Sequence, residues 1–341
     1  MRKHNICVVV PAYNEEKVIR DSLSALKKVI PKEDIYVVSD GSKDNTVPLA
    51  YGASVNVLAL EKNFGKAKAI FYLMRSYDLA LRYDYILFSD ADSRLAKDFV
   101  KQIIPFTQSK PACIVGTVTS DKHGLISAFR TYEYGLTHFI FKNAQNAMKT
   151  ITVAPGCAAL YRSEILKKLN FSNKTLTEDF DLTLQIHEKK LGQIIYAAKA
   201  KVITQDPPTI KDYWHQVLRW YTGFWQNIFL HKLYKPTKKI NLEIYLLMLD
   251  VLTGMGISIY LIFHPELLFR IVIIALAMMI GLSSLVVALQ KQFWAILYAP
   301  LFPLLYVINL IAYASGFFRS IFSKKRDLPW KKVARYSISK A

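Results

Sequence analysis

Only three of the 341 residues are cysteine, Cys7, Cys113 and Cys157. Their number is odd and their spacing matches no metal-ligand pattern, which argues against a disulfide framework and a zinc site and suits reduced thiols. Glycine-rich phosphate loops are missing as well. No G-x-G-x-x-G and no Walker pattern occurs, so a dinucleotide enzyme or an NTPase is not expected. The opening Met1-Arg2-Lys3-His4-Asn5 leads into an apolar run at 6–10 that is too short for the core of a signal peptide, which places the N-terminal region in the cytosol. Acidic residues are few, 26 against 45 Lys and Arg, for a net charge of +19. That excess suits either nucleic acid or an anionic membrane surface. Because much of it flanks apolar segments, at 232–239 and 319–332, membrane lipids are the expected partner and nucleic acid is not.

Apolar residues, by contrast, make up 52% of the chain, high for a soluble protein, and they crowd into 240–318. A soluble domain followed by a membrane region is the natural reading. Segments 244–263, 267–289 and 293–318 are each long enough to span, and His264-Pro265-Glu266 reads as an external turn between the first two. Three full spans from a cytosolic domain would put the basic stretch 319–340 outside, against the positive-inside rule. One segment is therefore expected not to cross fully. Pro300 and Pro303 make the third a candidate for a re-entrant or kinked pair, and Asp250 makes the first a candidate for partial burial. The aromatic-rich stretch 210–233 is expected along the membrane surface. These readings divide the chain into a catalytic-type domain at 1–205, amphipathic interface helices at 206–240, a transmembrane region at 241–318 and a basic cytosolic tail at 319–341.

Within the first part, the β-branched run at 6–10 ends at Pro11 and reads as a buried parallel strand. A helix N-capped by Asn14-Glu15-Glu16 follows, then a strand at 35–38 that runs into Ser39-Asp40-Gly41-Ser42. A third strand at 85–88 delivers Asp90-Ala91-Asp92. Ligands of such sheets bind at the carboxyl ends of the strands, where all three loops fall. One strand-end aspartate alone reads equally as a turn former. Asn63-Phe64-Gly65-Lys66 precedes a helix at 67–73, so the backbone at Gly65 can approach a phosphate and Lys66 can supply charge. Gln216, Arg219 and Trp220, at i, i+3 and i+4, share a helix face.

The ordered set Val8 to Glu15, Ser39-Asp40-Gly41-Ser42, Asp90-Ala91-Asp92, Thr177-Glu178-Asp179 and Gln216-Val217-Leu218-Arg219-Trp220 resembles the family 2 glycosyltransferases. Its processive branch, the hyaluronan, chitin, cellulose and poly-N-acetylglucosamine synthases, is the most similar. The resemblance spans residues 6–220 and implies an α/β, GT-A-like nucleotide-sugar-binding domain with a mixed, mainly parallel sheet. It also implies an inverting, metal-dependent transferase. Pro11, Tyr13, Glu15 and Asp40 would then bind the nucleotide, and Lys66, Asp90 and Arg219 the diphosphate side of the donor. Asp92 with Asp90 would hold Mg²⁺ or Mn²⁺, since paired carboxylates grip hard cations. Ser39 stands where the family commonly has an acid, which leaves the base of the nucleotide open.

By the same resemblance Asp179, beside Glu178, is the general base. Gly156 and Cys157 line the acceptor side, and Gln216 and Trp220 bind the acceptor sugar. Simpler readings stand beside these. Glu178 and Asp179 can serve the dipole of a helix N-terminus, Cys157 can be a small buried residue, and Trp220 can be an interfacial anchor. Leu328-Pro329-Trp330-Lys331-Lys332-Val333-Ala334-Arg335 faintly resembles the segments that close over the nucleotide in the processive enzymes, but the reading preferred for it is a basic flank lying on anionic lipid. The implied activity is extension of a β-linked polysaccharide from a UDP-sugar by a multi-pass cell-membrane enzyme with a cytosolic catalytic domain, with a homo-oligomer as a possible assembly. Alternatives are transfer of one sugar to a lipid and a non-catalytic nucleotide-sugar sensor.

Overall fold

The computed structural model describes residues 5–235, 263–322 and 332–336, with isolated positions between 245 and 260. The expected first apolar segment at 244–263, with Asp250, lies almost wholly outside the described residues, as do Leu328 to Lys331.

Alternating short strands and helices build the first two hundred residues: β1 (Ile6–Ala12), α1 (Ile19–Leu26), β2 (Ile35–Asp40), α2 (Thr46–Gly52), β3 (Asn56–Leu60), α3 (Lys66–Ser76) and α4 (Leu79–Arg82). They continue through β4 (Tyr85–Phe88), β5 (Ser93–Leu95), α5 (Phe99–Ile103), β6 (Cys113–Ser120), α6 (Leu125–Leu136), α7 (Lys142–Met148), β7 (Ala159–Arg162), α8 (Ser163–Leu166), α9 (Glu178–Glu188) and β8 (Ile194–Thr204). The strands form one sheet in the order β3-β2-β1-β4-β7-β6-β8-β5. The β3, β2, β1 and β4 pairings are parallel, whereas β7 is antiparallel to both β4 and β6. The mixed, mainly parallel sheet expected of the sequence is therefore present.

Strand β1 shows why these residues choose this layer. Cys7 and Val9 face one core and Val8 and Val10 the other, and all four are completely buried. A strand covered on both faces needs an unbroken apolar run, and 6–10 supplies it. One expectation fails at the next turn. Helix α1 begins at Ile19 and has no side-chain cap. Asn14 instead adopts a left-handed backbone with φ +52°, tolerated by asparagine, and its side chain accepts from the Lys43 amide at 2.8 Å. The residue read as a helix cap ties the loop after β1 to the loop after β2.

Beyond β8 the described elements are helices: α10 (Ile210–Leu230), α11 (Pro265–Leu289), a 3₁₀ stretch (Phe293–Leu301) and α12 (Phe302–Phe322). Among the described residues two helical stretches are long and apolar enough to cross a membrane, Pro265–Leu289 with mean hydropathy 2.7 and Phe293–Phe322 with 2.0. They behave differently. α11 leaves most of its apolar surface exposed, and a helix apolar all round needs lipid or a partner to cover it. α12 lies along α10 and buries Phe302, Leu305, Asn309, Ala312 and Gly316, a stripe at helical spacing. Pro300 lies inside the 3₁₀ stretch, where the sequence offered a kink, and α12 packs along α10 after it.

Candidate functional site

The carboxyl ends of β1, β2 and β4 converge at one edge of the sheet, and hydrogen bonds knit their loops together. The Glu15 amide donates to Thr46 Oγ1 at 2.7 Å and the Asn14 amide to Ser42 Oγ at 3.0 Å. Asp40, buried at the end of β2, accepts from the Phe64 amide at 2.7 Å and the Gly65 amide at 2.9 Å. Its carboxylate thus holds the 63–65 loop. Burial raises its pKa, and the two amide bonds oppose the rise. Gly65 has φ +86°, and a Cβ there would stand 2.8 Å from Asn173 Nδ2, so the turn that starts α3 requires glycine.

That turn aims Lys66 into the site. Its ammonium bridges Asp90 at 2.7 Å and Glu178 at 2.9 Å. Burial pulls the ammonium pKa down, but Asp90, Glu178 and Asp179 together hold it well above the ordinary lysine value. Asp179 lies in the first turn of α9, where a carboxylate suits the helix dipole. Its oxygens accept from the Phe180 amide at 2.9 Å and the Gly156 amide at 3.3 Å. Enclosure, then the neighbouring Glu178, push its pKa up to about 6, with Lys66 pulling the other way. Cys157 is buried beside these groups, and burial holds its thiol well above the ordinary value. Pro11, Tyr13, Glu15, Asp40, Lys66, Asp90, Asp92, Gly156, Cys157, Glu178 and Asp179 therefore all belong to this edge of the sheet or the elements packed on it.

The C-terminal segment enters the same site, against the preferred reading of it as a flank on lipid. Arg335 Nη2 lies 2.7 Å from Asp92 Oδ2, and its Nε donates to Glu15 Oε2 at 3.3 Å. Lys332 Nζ stands 3.5 Å from the same Glu15 oxygen. Tyr336 stacks on His123, with ring centroids 3.7 Å apart, and its carbonyl accepts from Gln205 Nε2 at 2.7 Å. The cause is charge. Burial raises the Glu15 pKa and leaves Asp92 enclosed, and a guanidinium with two carboxylates in reach satisfies both. Asp90 and Asp92 are consequently each neutralised by a protein cation, Lys66 and Arg335.

Helix α10 grips the loop that carries Glu178 and Asp179. Arg219 Nη1 donates to the Leu176 carbonyl at 3.2 Å, Gln226 Oε1 accepts from the Leu176 amide at 2.9 Å, and Asn227 Nδ2 donates to Thr177 Oγ1 at 3.0 Å. Gly223 makes the approach possible, since a Cβ would come within 2.5 Å of Thr177 Oγ1. On the same helix Gln216 Oε1 accepts from Arg130 Nη2 at 3.0 Å, and the Arg130 guanidinium lies 4.5 Å from the centre of the Trp220 ring. Gln216 and Trp220 thus meet one partner, whereas Arg219 turns to the 176 loop. Sequence reasoning missed Arg130, Gly223, Gln226 and Asn227. Arg130-x-x-Glu133 in an otherwise uncharged helix was the one available signal for the first.

Among the described residues no three His, Cys, Asp or Glu side chains converge into a metal cage. Asp90 and Asp92 offer two hard carboxylate ligands, enough for Mg²⁺ or Mn²⁺ when a phosphate ligand and water complete the shell.

Comparison with known proteins gives this geometry a class. The model of Glycosyltransferase like family 2 matches residues 4–223, well over half of the chain. The chain belongs to that family. Poly-beta-1,6-N-acetyl-D-glucosamine synthase of Staphylococcus epidermidis is 26% identical over 256 residues, 72% of this chain and 60% of the relative. The Staphylococcus aureus enzyme of that name is 25% identical over the same length. The chain thus spans about 60% of the length of these relatives. In fold it is similar to the mannosyltransferase PcManGT of Pyrobaculum calidifontis, solved with GDP-Man and Mn²⁺, at a TM-score of 0.59 and 17% identity, with 95% of this chain and 89% of that one covered.

Proposed function

We propose that this chain is a membrane-bound, inverting glycosyltransferase that transfers a sugar from a nucleotide sugar, UDP-linked, to the hydroxyl of a growing β-linked polysaccharide. The observation that carries the reading is Asp179, held in the first turn of α9 by two backbone amides beside the Lys66–Glu178 pair, where burial and then Glu178 push its pKa up to about 6. A general base works best with a pKa near the operating pH. The family and the names of the staphylococcal relatives support a sugar transfer of this kind.

In this reading the acceptor hydroxyl oxygen attacks the anomeric carbon while its proton passes to Asp179. The bond from that carbon to the diphosphate oxygen breaks, and nucleoside diphosphate leaves. A single displacement inverts the anomeric centre, so an α-linked donor gives a β-linkage. Pro11, Tyr13, Glu15 and Asp40 border the nucleotide, and Lys66 and Arg219 bring positive charge to the diphosphate side. Asp90 and Asp92 would hold Mg²⁺ or Mn²⁺, which when bound neutralises charge on the leaving diphosphate. Gly156 and Cys157 flank the base, Glu178 keeps Lys66 in place, and Gln216 and Trp220 form the acceptor platform. Membrane attachment is assigned to α11, and the contacts of Lys332 and Arg335 with Glu15 and Asp92 keep residues 332–336 with the catalytic domain, in the cytosol.

Asp179→Asn keeps the shape of the side chain but cannot take the proton. Nucleotide binding should persist while transfer falls on the order of a hundredfold to ten-thousandfold. Near-normal turnover would reassign the base. A second reading, one addition to a membrane lipid, is favoured by the small number of membrane-length helices, two among the described residues.

A further inference from the structure

Arg130 is a fully charged side chain held almost without exposure, 4%, at the junction of α6, α10 and α12. Burying a guanidinium is costly unless its donors are paired, and here both Nη atoms find partners while Nε has none among the described residues, so the partners of Nη1 and Nη2 report what it is there to hold. Its Nη1 pairs with Glu133 Oε2 at 2.6 Å and its Nη2 donates to Gln216 Oε1 at 3.0 Å. Its guanidinium carbon lies 4.5 Å from the Trp220 ring centre and 4.8 Å from that of Tyr213. The pattern closes on itself. Glu133 Oε1 accepts from Asn309 Nδ2 at 2.6 Å, and Asn309 Oδ1 accepts from the Tyr213 hydroxyl at 2.7 Å.

Two consequences follow from this chemistry alone. A guanidinium only donates, so the oxygen end of the Gln216 amide must face Arg130, which leaves the NH₂ end to donate elsewhere. The partner that Gln216 meets must then bring an acceptor oxygen, as a sugar hydroxyl or ring oxygen does. Second, a cation resting on one face of the half-buried Trp220 indole draws the electron density of the ring toward itself. The rest of that ring becomes a poor seat for a second cation and keeps its dispersion contact with a neutral, C–H-rich sugar face.

We propose that Arg130 is a positioning residue that orients Gln216 and Trp220 and thereby selects an uncharged acceptor sugar over a cationic amino sugar. This rests on the reading of Trp220 as the acceptor platform.

The test uses the full-length protein in membranes, labelled UDP-N-acetylglucosamine as donor, and two acceptors: a β-1,6-linked N-acetylglucosamine oligomer and its N-deacetylated, ammonium-bearing counterpart. The wild type should show an acceptor KM about tenfold lower for the neutral oligomer. Arg130→Met should raise that KM and bring the two acceptors within about twofold of each other, with nucleotide Kd unchanged. Arg130→Lys keeps the charge but loses the fork, so it should retain the preference with a weaker KM. Because Arg130→Met strands Glu133, the double variant Arg130→Met/Glu133→Gln is measured alongside and should show the same narrowed ratio. A merely structural arginine would lower turnover on both acceptors alike and leave the ratio fixed, and that result in any folded variant overturns the proposal. Trp220→Ala separates the underlying reading. If it leaves acceptor KM unchanged, the platform itself is wrong. If it raises acceptor KM while the Arg130 variants keep the wild-type ratio, only the role of Arg130 fails.

Discussion

Asp179 carries the sharpest consequence at the scale of single residues. Enclosure and Glu178 raise its pKa to about 6, and the base is active only when deprotonated. Activity should therefore be full above that value and fall tenfold per pH unit below it. A pH profile of kcat/KM on the acceptor checks this, and a flat profile down to pH 4.5 would contradict it. The acids of the site were legible in the sequence because strand ends put Asp40, Asp90 and Asp92 at one edge whatever the details of the loops. Their partners were not legible. That Asp40 spends both oxygens on the Phe64 and Gly65 amides, or that Lys66 bridges Asp90 and Glu178, depends on loop paths that short-range pattern does not encode.

At the scale of elements, α10 is the member on which the rest depends, because one helix holds the 176–177 loop and carries Gln216 and Trp220, the proposed acceptor platform. Gly223→Ala puts a methyl within 2.5 Å of Thr177 Oγ1 and must displace the loop or the helix. We expect a stability loss of about 1–3 kcal/mol, typical of overpacking, and a fall in kcat larger than the change in donor KM. Thermal unfolding and turnover measured on the same preparation check it, and unchanged turnover would mean that the loop does not need this grip. The i, i+3, i+4 spacing of Gln216, Arg219 and Trp220 exposed this helix in the sequence. The α6–α7 stretch stayed hidden for a physical reason. A π turn at Thr137–Phe141 inserts extra residues into the helical repeat, so the buried face of α6 does not continue into α7 and Phe139, Ile140 and Phe141 emerge on the surface. No single period describes such a segment.

Across the whole molecule, the farthest contact is the most consequential. Arg335 returns to Glu15, 320 positions away in the chain, and to Asp92. A divalent cation and Arg335 want the same carboxylate. Removing the guanidinium should lower the Mn²⁺ concentration needed for half-maximal nucleotide binding by about tenfold, the equivalent of one modest ion pair. Titration of Arg335→Ala against wild type reads this, and an unchanged midpoint would show that the cation does not engage Asp92. Basic residues 332 and 335 lie against the α/β domain, at Glu15 and Asp92. Hydropathy marked these apolar segments, but the stripe by which α12 packs along α10 was not legible from it.

Product size tests the central assignment most directly. Membranes containing the protein are incubated with a panel of labelled UDP-sugars and a divalent cation, and the product is resolved by length. A β-linked ladder or long polymer that disappears in Asp179→Asn is the predicted result. A single sugar added to lipid, or no transfer from any UDP-sugar, would contradict it.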